Sequence, residues 1–551
     1  MTLELRSQIA GVELARERVL DMVRRYGPLQ VKGAMRKMIA TTAGVVGDRL
    51  RSLPDGEWTD TRYVSGAVVG DLNPYKFSLT VRKTGDRLFY TNAGTDPSVG
   101  SFNITAGVLR ACITNSLLTF LCYDQYLCAA GLLEQVDFEF ERGTITAARH
   151  PAACSTSIGL VVALVQAQHL NMKMLSTNPT TAHQTFGASG AATLIYNHTF
   201  GLDQYGNPTA NFPMDGIVGG LGAFPWRDGL EHGGTMSATM NPVGSVEAIE
   251  REIPMLFLYR REAVDSGGHG EWRGGACLVS AMVGHRSPEH YISSGGLAQS
   301  VTMGIGVLGG WPATGGTMWR AEDCAIRDWF ADGRLPGTPA ALREMAPEGG
   351  LAPPKVFDNR ITERDVFEVL PNPGAGYGDP VLRRADLVAD DLVQGKVTPE
   401  HARVIYGVVV DGDGAVDEAA TAAERKALRA RRLDRARPPR EPREGALGSV
   451  TEHALATVVA GPGADGTPAL GCAACARELA PREGNYRRGA AWLELAMTEL
   501  GTHFTDPKEQ IGHELIWRSY LCPGCGVALD GELCRPDDEP VWDVRLAPRA
   551  S

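Results

Sequence analysis

The sequence has no glycine-rich loop of the kind that cradles nucleotide phosphates. The pattern GxxxxGK[ST] does not occur in its 551 residues. A shorter pattern at Gly304–Gly309 matches GxGxxG, but no clear strand precedes it, and Trp311-Pro312 follow before a long helix can begin. That context does not favour dinucleotide binding. The sequence therefore shows no ATP site of its own.

The sequence also lacks a hydrophobic segment long enough to cross a membrane. Its most apolar stretch, residues 108–121, contains Arg110 and Asn115 and is shorter than the roughly 20 residues that a bilayer requires. The N-terminus is charged and has no apolar signal-peptide core. A net charge of −11 argues against nucleic acid or an anionic membrane as a partner. We expect a soluble, cytoplasmic protein.

Histidines are few, and their spacing indicates no metal or catalytic pair. The chain has 12, and those in or near its glycine-rich middle form no HxH, HxxxH or HExxH pattern. An isolated histidine is more often a hydrogen-bonded structural residue than a metal ligand or a catalytic group. This applies to His150, His183, His198, His232 and His269. No Ser-His-Asp or Cys-His set can be recognised. Six of the 11 cysteines are scattered among apolar or small residues and are expected to be buried thiols: Cys112, Cys122, Cys128, Cys154, Cys277 and Cys324.

Regular patterns are present, and they indicate a mixed α/β protein of two to four domains. Apolar residues at helical spacing predict a first helix that ends at Gly27-Pro28, and a second from about residue 31 to 53. Alternation predicts a hairpin around Thr84-Gly85-Asp86 and another over residues 136–148. Apolar runs predict buried helices at about 104–133 and 156–175. Further strands are predicted at Met255–Tyr259 and Ala276–Val283.

A charge run marks the clearest domain boundary. Residues 424–443 read ERKALRARRLDRARPPREPR. A solvated helix end and linker explain this run, and the alternative is a basic patch that grips a partner or RNA. We predict a body at residues 1–423, a linker at 424–450 and a C-terminal domain at 451–551.

The C-terminal region contains two CxxC pairs, Cys472-Ala-Ala-Cys475 and Cys522-Pro-Gly-Cys525. Two tight turns with two thiolates each can complete a tetrahedral shell around Zn²⁺. A redox CxxC would explain one pair but not two. The sequence therefore predicts a structural zinc with Cys472, Cys475, Cys522 and Cys525 as ligands, and Cys534 is not expected to be one.

A glycine-rich loop supplies the candidates for catalysis. Asp215 and His232 bracket a segment with five glycines, which suits a loop that faces a ligand or a partner subunit. A plain structural loop with solvated charges is the alternative.

Several segments resemble the C-terminal portion of the hydantoinase B/oxoprolinase family. They include the first helix, LPDGEW at Leu53–Trp58, NAGTDPSVGSFN at Asn92–Asn103, GGLGAFPWRDGLEHG at Gly219–Gly233, DSGGHGEWRGG at Asp265–Gly275 and PNPGAGYGDP at Pro371–Pro380. The C-terminal region, with NYRRGAAWLELA and RSYLCPGCGVALDGEL, resembles the small zinc-binding subunit of acetone carboxylase. The resemblance implies an α+β hydantoinase B-like body with a small zinc-ribbon-like C-terminal domain.

The resemblance also implies a division of labour between subunits. Family members carry an earlier region with His and Asp motifs that has no counterpart here, so a partner is expected to supply that half and any catalytic divalent metal. ATP is expected on a hydantoinase A-type partner. The implied function is a subunit of an ATP-dependent ketone carboxylase that uses bicarbonate. An amide-ring hydrolase subunit or a non-catalytic structural subunit are the alternatives.

Overall fold

Two long helices open the chain, and the predicted stop between them is confirmed. Helix α1 (Thr2–Tyr26) ends before Gly27, whose φ of 83° is favourable only for glycine. Helix α2 (Pro28–Arg51) begins at Pro28, because a proline loses no hydrogen bond at the first helical position. Helix α1 has no buried residue, and the buried residues of α2 lie only between Thr42 and Leu50. Among the described residues, positions 2–41 thus contain no buried side chain, and α2 packs against α4 only from about Ile39 onward.

The computed structural model describes residues 2–66, 70–125, 128–154, 158–178, 195–235, 238–239, 243–287, 289–296, 301–353 and 355–548. The further helices are α3 (Ala106–Leu121), α4 (Ala129–Leu133), α5 (Ile158–Leu175), α6 (Val246–Glu252), α7 (Ile326–Ala331), α8 (Pro339–Met345), α9 (Ala385–Val393), α10 (Pro399–Val404), α11 (Glu418–Arg435) and α12 (Tyr486–Gly489). Short 3-10 helices lie at Met214–Ile217, Pro380–Leu382, Met497–Leu500 and Pro507–Glu509.

The strands form several antiparallel or mixed sheets, which confirms the predicted mixed α/β class. They are β1 (Gly56–Val64), β2 (Tyr75–Thr84), β3 (Arg87–Thr91), β4 (Val136–Glu139), β5 (Ile195–Leu202), β6 (Pro208–Asn211), β7 (Gly234–Thr235), β8 (Ala238–Thr239), β9 (Met255–Glu262), β10 (Leu278–Gly284), β11 (His290–Gly296), β12 (Thr317–Ala321), β13 (Gly350–Leu351), β14 (Lys355–Ile361), β15 (Val366–Leu370), β16 (Glu452–His453), β17 (Val458–Pro462), β18 (Pro468–Cys472), β19 (Glu478–Pro481), β20 (Ala491–Ala496), β21 (Ile516–Leu521), β22 (Ala528–Cys534) and β23 (Val544–Leu546). The larger sheets have the orders β23-β1-β2-β3-β4, β13-β12-β15-β10-β9, β14-β11-β5-β6, β16-β17-β18-β19 and β20-β21-β22.

The first predicted hairpin is confirmed and the second is wrong. Strands β2 and β3 pair antiparallel around Gly85, which has a φ of 58°. Strand β4 instead pairs parallel with β3, and residues 144–148 contribute only isolated bridges. The Asn92 side chain explains the difference, because it accepts from the Glu141 N–H and donates to the hydroxyls of Thr144 and Thr146. These bonds hold the segment as a turn.

The apolar runs that were predicted as helices form them with one interruption. The run at 104–133 divides into α3 and α4, and Asp124 between them makes two hydrogen bonds to Arg49 of α2, at 3.0 and 2.7 Å. The run at 156–175 forms α5, which packs against α3, β1 and β2. Strands β9 and β10 confirm the predicted strands at 255–259 and 276–283, and they are antiparallel neighbours.

The C-terminal region shares its core with the rest of the chain. Strand β23 pairs with β1 at the edge of the first sheet, and one hydrophobic cluster contains Leu79, Leu170, Leu455 and Leu529. The charge run is helical where it begins, since α11 spans Glu418–Arg435 and crosses the start of the predicted linker. The division into a body, a linker and a C-terminal domain stays a prediction.

A buried network of charges fastens the C-terminal region to α5. The ammonium group of Lys173 contacts Asp530 and lies 3.3 Å from Asp543, and the guanidinium of Arg487 lies 2.6 Å from Asp530 and 3.0 Å from Asp543. None of these four side chains is more than 3% exposed. Burial alone would raise the pKa of Asp530, but the charges of Lys173 and Arg487 hold that pKa far below its usual range. Asp530 therefore remains charged and depends on its partners, whereas burial raises the pKa of Asp543.

Among the described residues, no helix combines the length and the apolar character that a membrane crossing demands.

We predict that Lys173→Met lowers the free energy of unfolding by about 3–5 kcal/mol, because it leaves two buried carboxylates with one cation. Urea unfolding followed by tryptophan fluorescence measures the change. Lys508→Met is the matched control, since its pair with Glu514, at 2.9 Å, is exposed on both sides and is screened by solvent. Equal unfolding midpoints for Lys173→Met and the unaltered chain would contradict the assignment.

Candidate metal centre and the glycine-rich loops

The two CxxC pairs form turns with the same backbone hydrogen bonds. The Cys472 N–H donates to the Arg477 carbonyl and the Ala476 N–H donates back to the Cys472 carbonyl, at 2.9 and 2.8 Å. In the second turn, the Cys522 N–H donates to the Val527 carbonyl, and the Gly526 N–H donates to the Cys522 carbonyl, both at 2.9 Å. The residue directly after the second cysteine of each turn has a positive φ, 59° at Ala476 and 70° at Gly526. Each turn thus presents two thiols on one side.

The four sulfur atoms converge on one point. All four Sγ atoms lie within 4.8 Å of one another, with 3.9 Å between Cys472 and Cys525 and 3.5 Å between Cys475 and Cys522. A tetrahedral zinc with Zn–S bonds of about 2.3 Å places its sulfurs about 3.8 Å apart. The residues fit such an ion, and the cluster could bind a metal such as zinc. Four thiolates close the shell, so no position is open for a substrate.

The remaining cysteines lie outside this cluster. Cys534 is buried at the end of β22. The prediction of buried thiols is confirmed for Cys112, Cys122, Cys277 and Cys324, while Cys128 is half-buried. It is wrong for Cys154, which is exposed.

The glycine-rich segments pack against one another through their backbones. The Gly275 N–H donates to the Leu221 carbonyl, and the Gly374 N–H donates to the Gly275 carbonyl, at 2.8 and 2.9 Å. A Cβ at Gly220 would lie 1.8 Å from the Gly275 oxygen, and one at Gly274 would lie 1.9 Å from the Gly374 oxygen. Glycine is therefore required here for contact between loops 219–229, 267–275 and 374–378.

Asp215 is buried, and both of its carboxylate oxygens accept hydrogen bonds. Its carboxylate accepts two hydrogen bonds from Arg260, at 2.7 and 2.9 Å, and one from the Ser280 hydroxyl at 2.6 Å. Both partners lie on neighbouring strands, β9 and β10. The observed contacts place Asp215 as an anchor between the 3-10 helix at Met214–Ile217 and this sheet.

His232 is half-buried and has a φ of 50°. Its Nε2 lies 3.3 Å from the Glu262 carboxylate. Glu262 and Arg260 are two residues apart on β9 and so point to the same face. Asp215 and His232 thus both contact the same face of β9, Asp215 through Arg260 and His232 through Glu262. His232 is the more exposed of the two.

The other charges of the loop are held by arginines that sequence reasoning missed. Arg383 makes two hydrogen bonds to Asp228, at 2.6 and 2.7 Å, and Arg273 contacts Glu231 at 2.7 Å. Both arginines also contact the buried Asp391. Burial alone would raise the pKa of Glu231, but the charge of Arg273 brings it down to about 2. These pairs join segments up to 155 positions apart, which no local pattern indicates.

A second polar cluster surrounds the DSGGHG motif. The His269 ring is buried with Nδ1 2.8 Å from the Tyr406 hydroxyl, and burial lowers its pKa to about 3. His401 Nδ1 lies 3.2 Å from Asp265, which has a φ of 58°. The prediction that His269 is hydrogen-bonded is thus confirmed, and its structural role stays a prediction. His183 lies outside the described residues.

Comparison with known proteins places these features in a family. Residues 1–380 match hydantoinase B/oxoprolinase. The chain is 24% identical over 437 residues to the acetophenone carboxylase delta subunit of Aromatoleum aromaticum, which covers 75% of this chain and 61% of that protein. The chain therefore spans about three fifths of that relative's length.

Two solved structures share the fold. The nucleotide-free structure of acetone carboxylase superposes with a TM-score of 0.70 at 22% identity, over 79% of this chain and 61% of that one. The ATP-dependent caprolactamase of Pseudomonas jessenii gives a TM-score of 0.58 at 22% identity, over 76% and 68%. The family match spans more than half of the sequence. The chain belongs to the hydantoinase B/oxoprolinase family.

Proposed function

We propose that this chain is a subunit of an ATP-dependent ketone carboxylase. The observation that carries the proposal is the four-cysteine centre, which is built into a hydantoinase B-type chain. The C-terminal region resembles the small zinc-binding subunit of acetone carboxylase, and the resemblance implies no such segment in the ring hydrolases. Similarity to the acetophenone carboxylase subunit and the acetone carboxylase fold supports the same reaction class.

The metal proposed for the cysteine centre is zinc, in a structural role. Its ligand set of four soft thiolates and its sulfur spacing suit Zn²⁺. The ion would fasten the turn after β18 to the turn after β21. Because the shell is closed, the residues of this centre would hold structure and take no part in the reaction.

Two partner subunits are proposed. A hydantoinase A-type subunit would bind ATP, in keeping with the lack of a phosphate loop in this sequence. A second polypeptide would supply the portion of the family fold that this chain does not match, which amounts to 39% of the acetophenone carboxylase subunit and the same share of the acetone carboxylase chain. A catalytic divalent metal would lie in that portion.

The contribution of this chain to the reaction would be enclosure and positioning. Ketone carboxylation through carboxyphosphate requires a site from which water is excluded, because phosphorylated intermediates hydrolyse. The interleaved glycine loops, with their charges locked by Arg273 and Arg383, form a rigid wall. His232 is the candidate on that wall for a proton-handling role.

An amide-ring hydrolase is the second candidate. The specific observation in its favour is the fold shared with caprolactamase, which this chain covers over 68% of its length. In that reaction ATP would activate an amide carbonyl for attack by water, and bicarbonate would have no role. A structural subunit without catalytic residues is the third candidate.

We predict that the assembled complex hydrolyses ATP in response to a ketone and forms a carboxylated product only when bicarbonate is present. Product analysis with labelled bicarbonate measures the reaction. This chain without its partners should show no turnover. Hydrolysis of ATP with an amide ring, independent of bicarbonate, would support the hydrolase instead. Ketone carboxylation by the lone chain would contradict the need for partners.

We predict about one zinc per chain, bound by a single four-thiolate shell. Cys522→Ser should lose the ion and lower the melting temperature, because metal binding there is coupled to folding. Elemental analysis and thermal unfolding measure the two effects. Cys534→Ser is the matched control, since it changes a buried cysteine outside the cluster. Full zinc content in Cys522→Ser would reject the assignment.

We predict that His232→Ala lowers turnover by at least about tenfold while zinc content and assembly remain unchanged, as for loss of a proton-transfer group. His513→Ala, which alters a histidine of the C-terminal region, is the control. A weaker complex on size-exclusion chromatography would place His232 at an interface instead. Normal activity together with normal assembly would leave the loop with a structural role only.

A further inference from the structure

A cleft of about 430 Å³ lies where helices α10 and α11 meet strand β20 and the 3-10 helix Met497–Leu500. We call it the α10–α11 cleft. Its volume falls within the range of small-molecule sites, which combine mostly apolar walls with a few polar groups. Apolar side chains from each of these elements line it: Val404, Leu428, Leu493, Leu495 and Leu500. The size and the walls of the cleft therefore suit a small organic molecule.

The first buried polar group that lines the cleft is Arg432 of α11, which is 7% exposed. Its Nη1 donates to both carboxylate oxygens of Asp379, at 2.8 and 3.1 Å. Its Nε and Nη2 have no hydrogen-bond partner among the described residues. These two nitrogens form one edge of the planar guanidinium, and their N–H groups match the two oxygens of a carboxylate. Arg432 can therefore hold a second carboxylate besides Asp379.

The second buried polar group is His401 of α10, which is also 7% exposed. Its Nδ1 lies 3.2 Å from the Asp265 carboxylate, so Nε2 is the ring nitrogen left for another molecule. Gly501, which also lines the cleft, lies beside that edge of the ring. A Cβ at Gly501 would lie 3.2 Å from Cε1 of His401 and 3.9 Å from its Nε2. The φ of Gly501 is 146°, which favours glycine, and the missing side chain leaves this edge uncovered.

We propose that the α10–α11 cleft binds a small organic carboxylate. The carboxylate accepts hydrogen bonds from Nε and Nη2 of Arg432, and from Nε2 of His401 when that ring is protonated. The apolar part of the molecule lies against Leu428, Leu493 and Leu495. A carboxylate is favoured over a neutral polar group, because paired hydrogen bonds from a guanidinium to a carboxylate are among the strongest in proteins. Buried N–H groups that lack an acceptor cost free energy, so a ligand that supplies one is stabilised.

The exposed charges of the cleft are compatible with a bound anion. Arg435 forms an ion pair with Glu499 at 2.6 Å, and both side chains are exposed. Such pairs contribute little to stability, so Arg435 can turn towards an anion at small cost. Glu400 opposes an anion, but it is exposed and solvent screens its charge. The inference does not depend on the proposed reaction, since none of these side chains takes part in it.

Titration of the full chain with small acids tests the inference. Benzoate and hexanoate are the probes, and each is compared with its uncharged amide. Isothermal titration calorimetry should show saturable binding of one acid per chain, at least about tenfold tighter than binding of the amide. Equal binding of an acid and its amide would overturn the choice of a carboxylate. No binding of either acid at millimolar concentrations would show that water alone satisfies these groups, and would overturn the site.

Val404→Glu tests the location of the site. Val404 lines the cleft and is 50% exposed, so a glutamate there places a carboxylate where the ligand binds. Affinity for the acids should fall at least about tenfold, because like charges in contact repel. Val393→Glu is the matched control, since it changes an 82% exposed valine that ends helix α9 and does not line the cleft. Both variants should keep the melting temperature, and equal affinities of the two variants would reject the location.

Arg432→Lys tests the contact with the guanidinium edge. Lysine keeps a positive charge beside Asp379, but its single ammonium group cannot hold two carboxylates in the same way. Affinity should fall at least about tenfold, and the melting temperature reports whether the fold is intact. Glu400→Gln should leave binding unchanged or strengthen it, because it removes the opposing charge. Full affinity in Arg432→Lys, or weaker binding in Glu400→Gln, would contradict the assigned contacts.

Discussion

The buried ammonium group of Lys173 is the contact on which the position of the C-terminal region depends. It lies on α5 in the centre of the body, and it faces Asp530 and Asp543 from strand β22 and the segment before β23. Separating these groups would leave charges in an apolar interior, which costs far more than breaking an exposed ion pair. The C-terminal region is therefore joined to α5 and the first sheet by contacts that are costly to separate.

This fastening also determines where the cysteine centre lies. Strand β22 begins at Ala528, three residues after Cys525, and the Ala528 N–H donates to the buried Asp379. The same Asp379 accepts from Arg432 of α11, and Asp530 accepts from the Leu308 N–H. The second cysteine turn is thus attached both to the helix of the charge run and to the loop at 304–310. A metal ion bound there would stabilise a junction that polar contacts have already placed.

The glycine loops show how a functional motif and a structural one can be confused in sequence. Glycines at 220, 274 and 374 could serve approach to a ligand, but their nearest neighbours are the carbonyl groups of each other's loops. The charged residues among them are similarly committed to buried partners. The surface built from these loops is consequently fixed by backbone contacts and buried ion pairs.

The sequence by itself determined the local structure wherever one short pattern dominates. Spacing and turn chemistry predict the helices that meet at Gly27-Pro28, the β2–β3 hairpin, the apolar helix α5 and the convergence of the four cysteines. Tertiary structure decided what depends on distant residues. Asn92 prevents the second hairpin, Arg260 holds Asp215, and Lys173 joins the C-terminal region to the body. These interactions link residues 45 to 357 positions apart, and a one-dimensional pattern cannot reveal which buried charge will meet which partner.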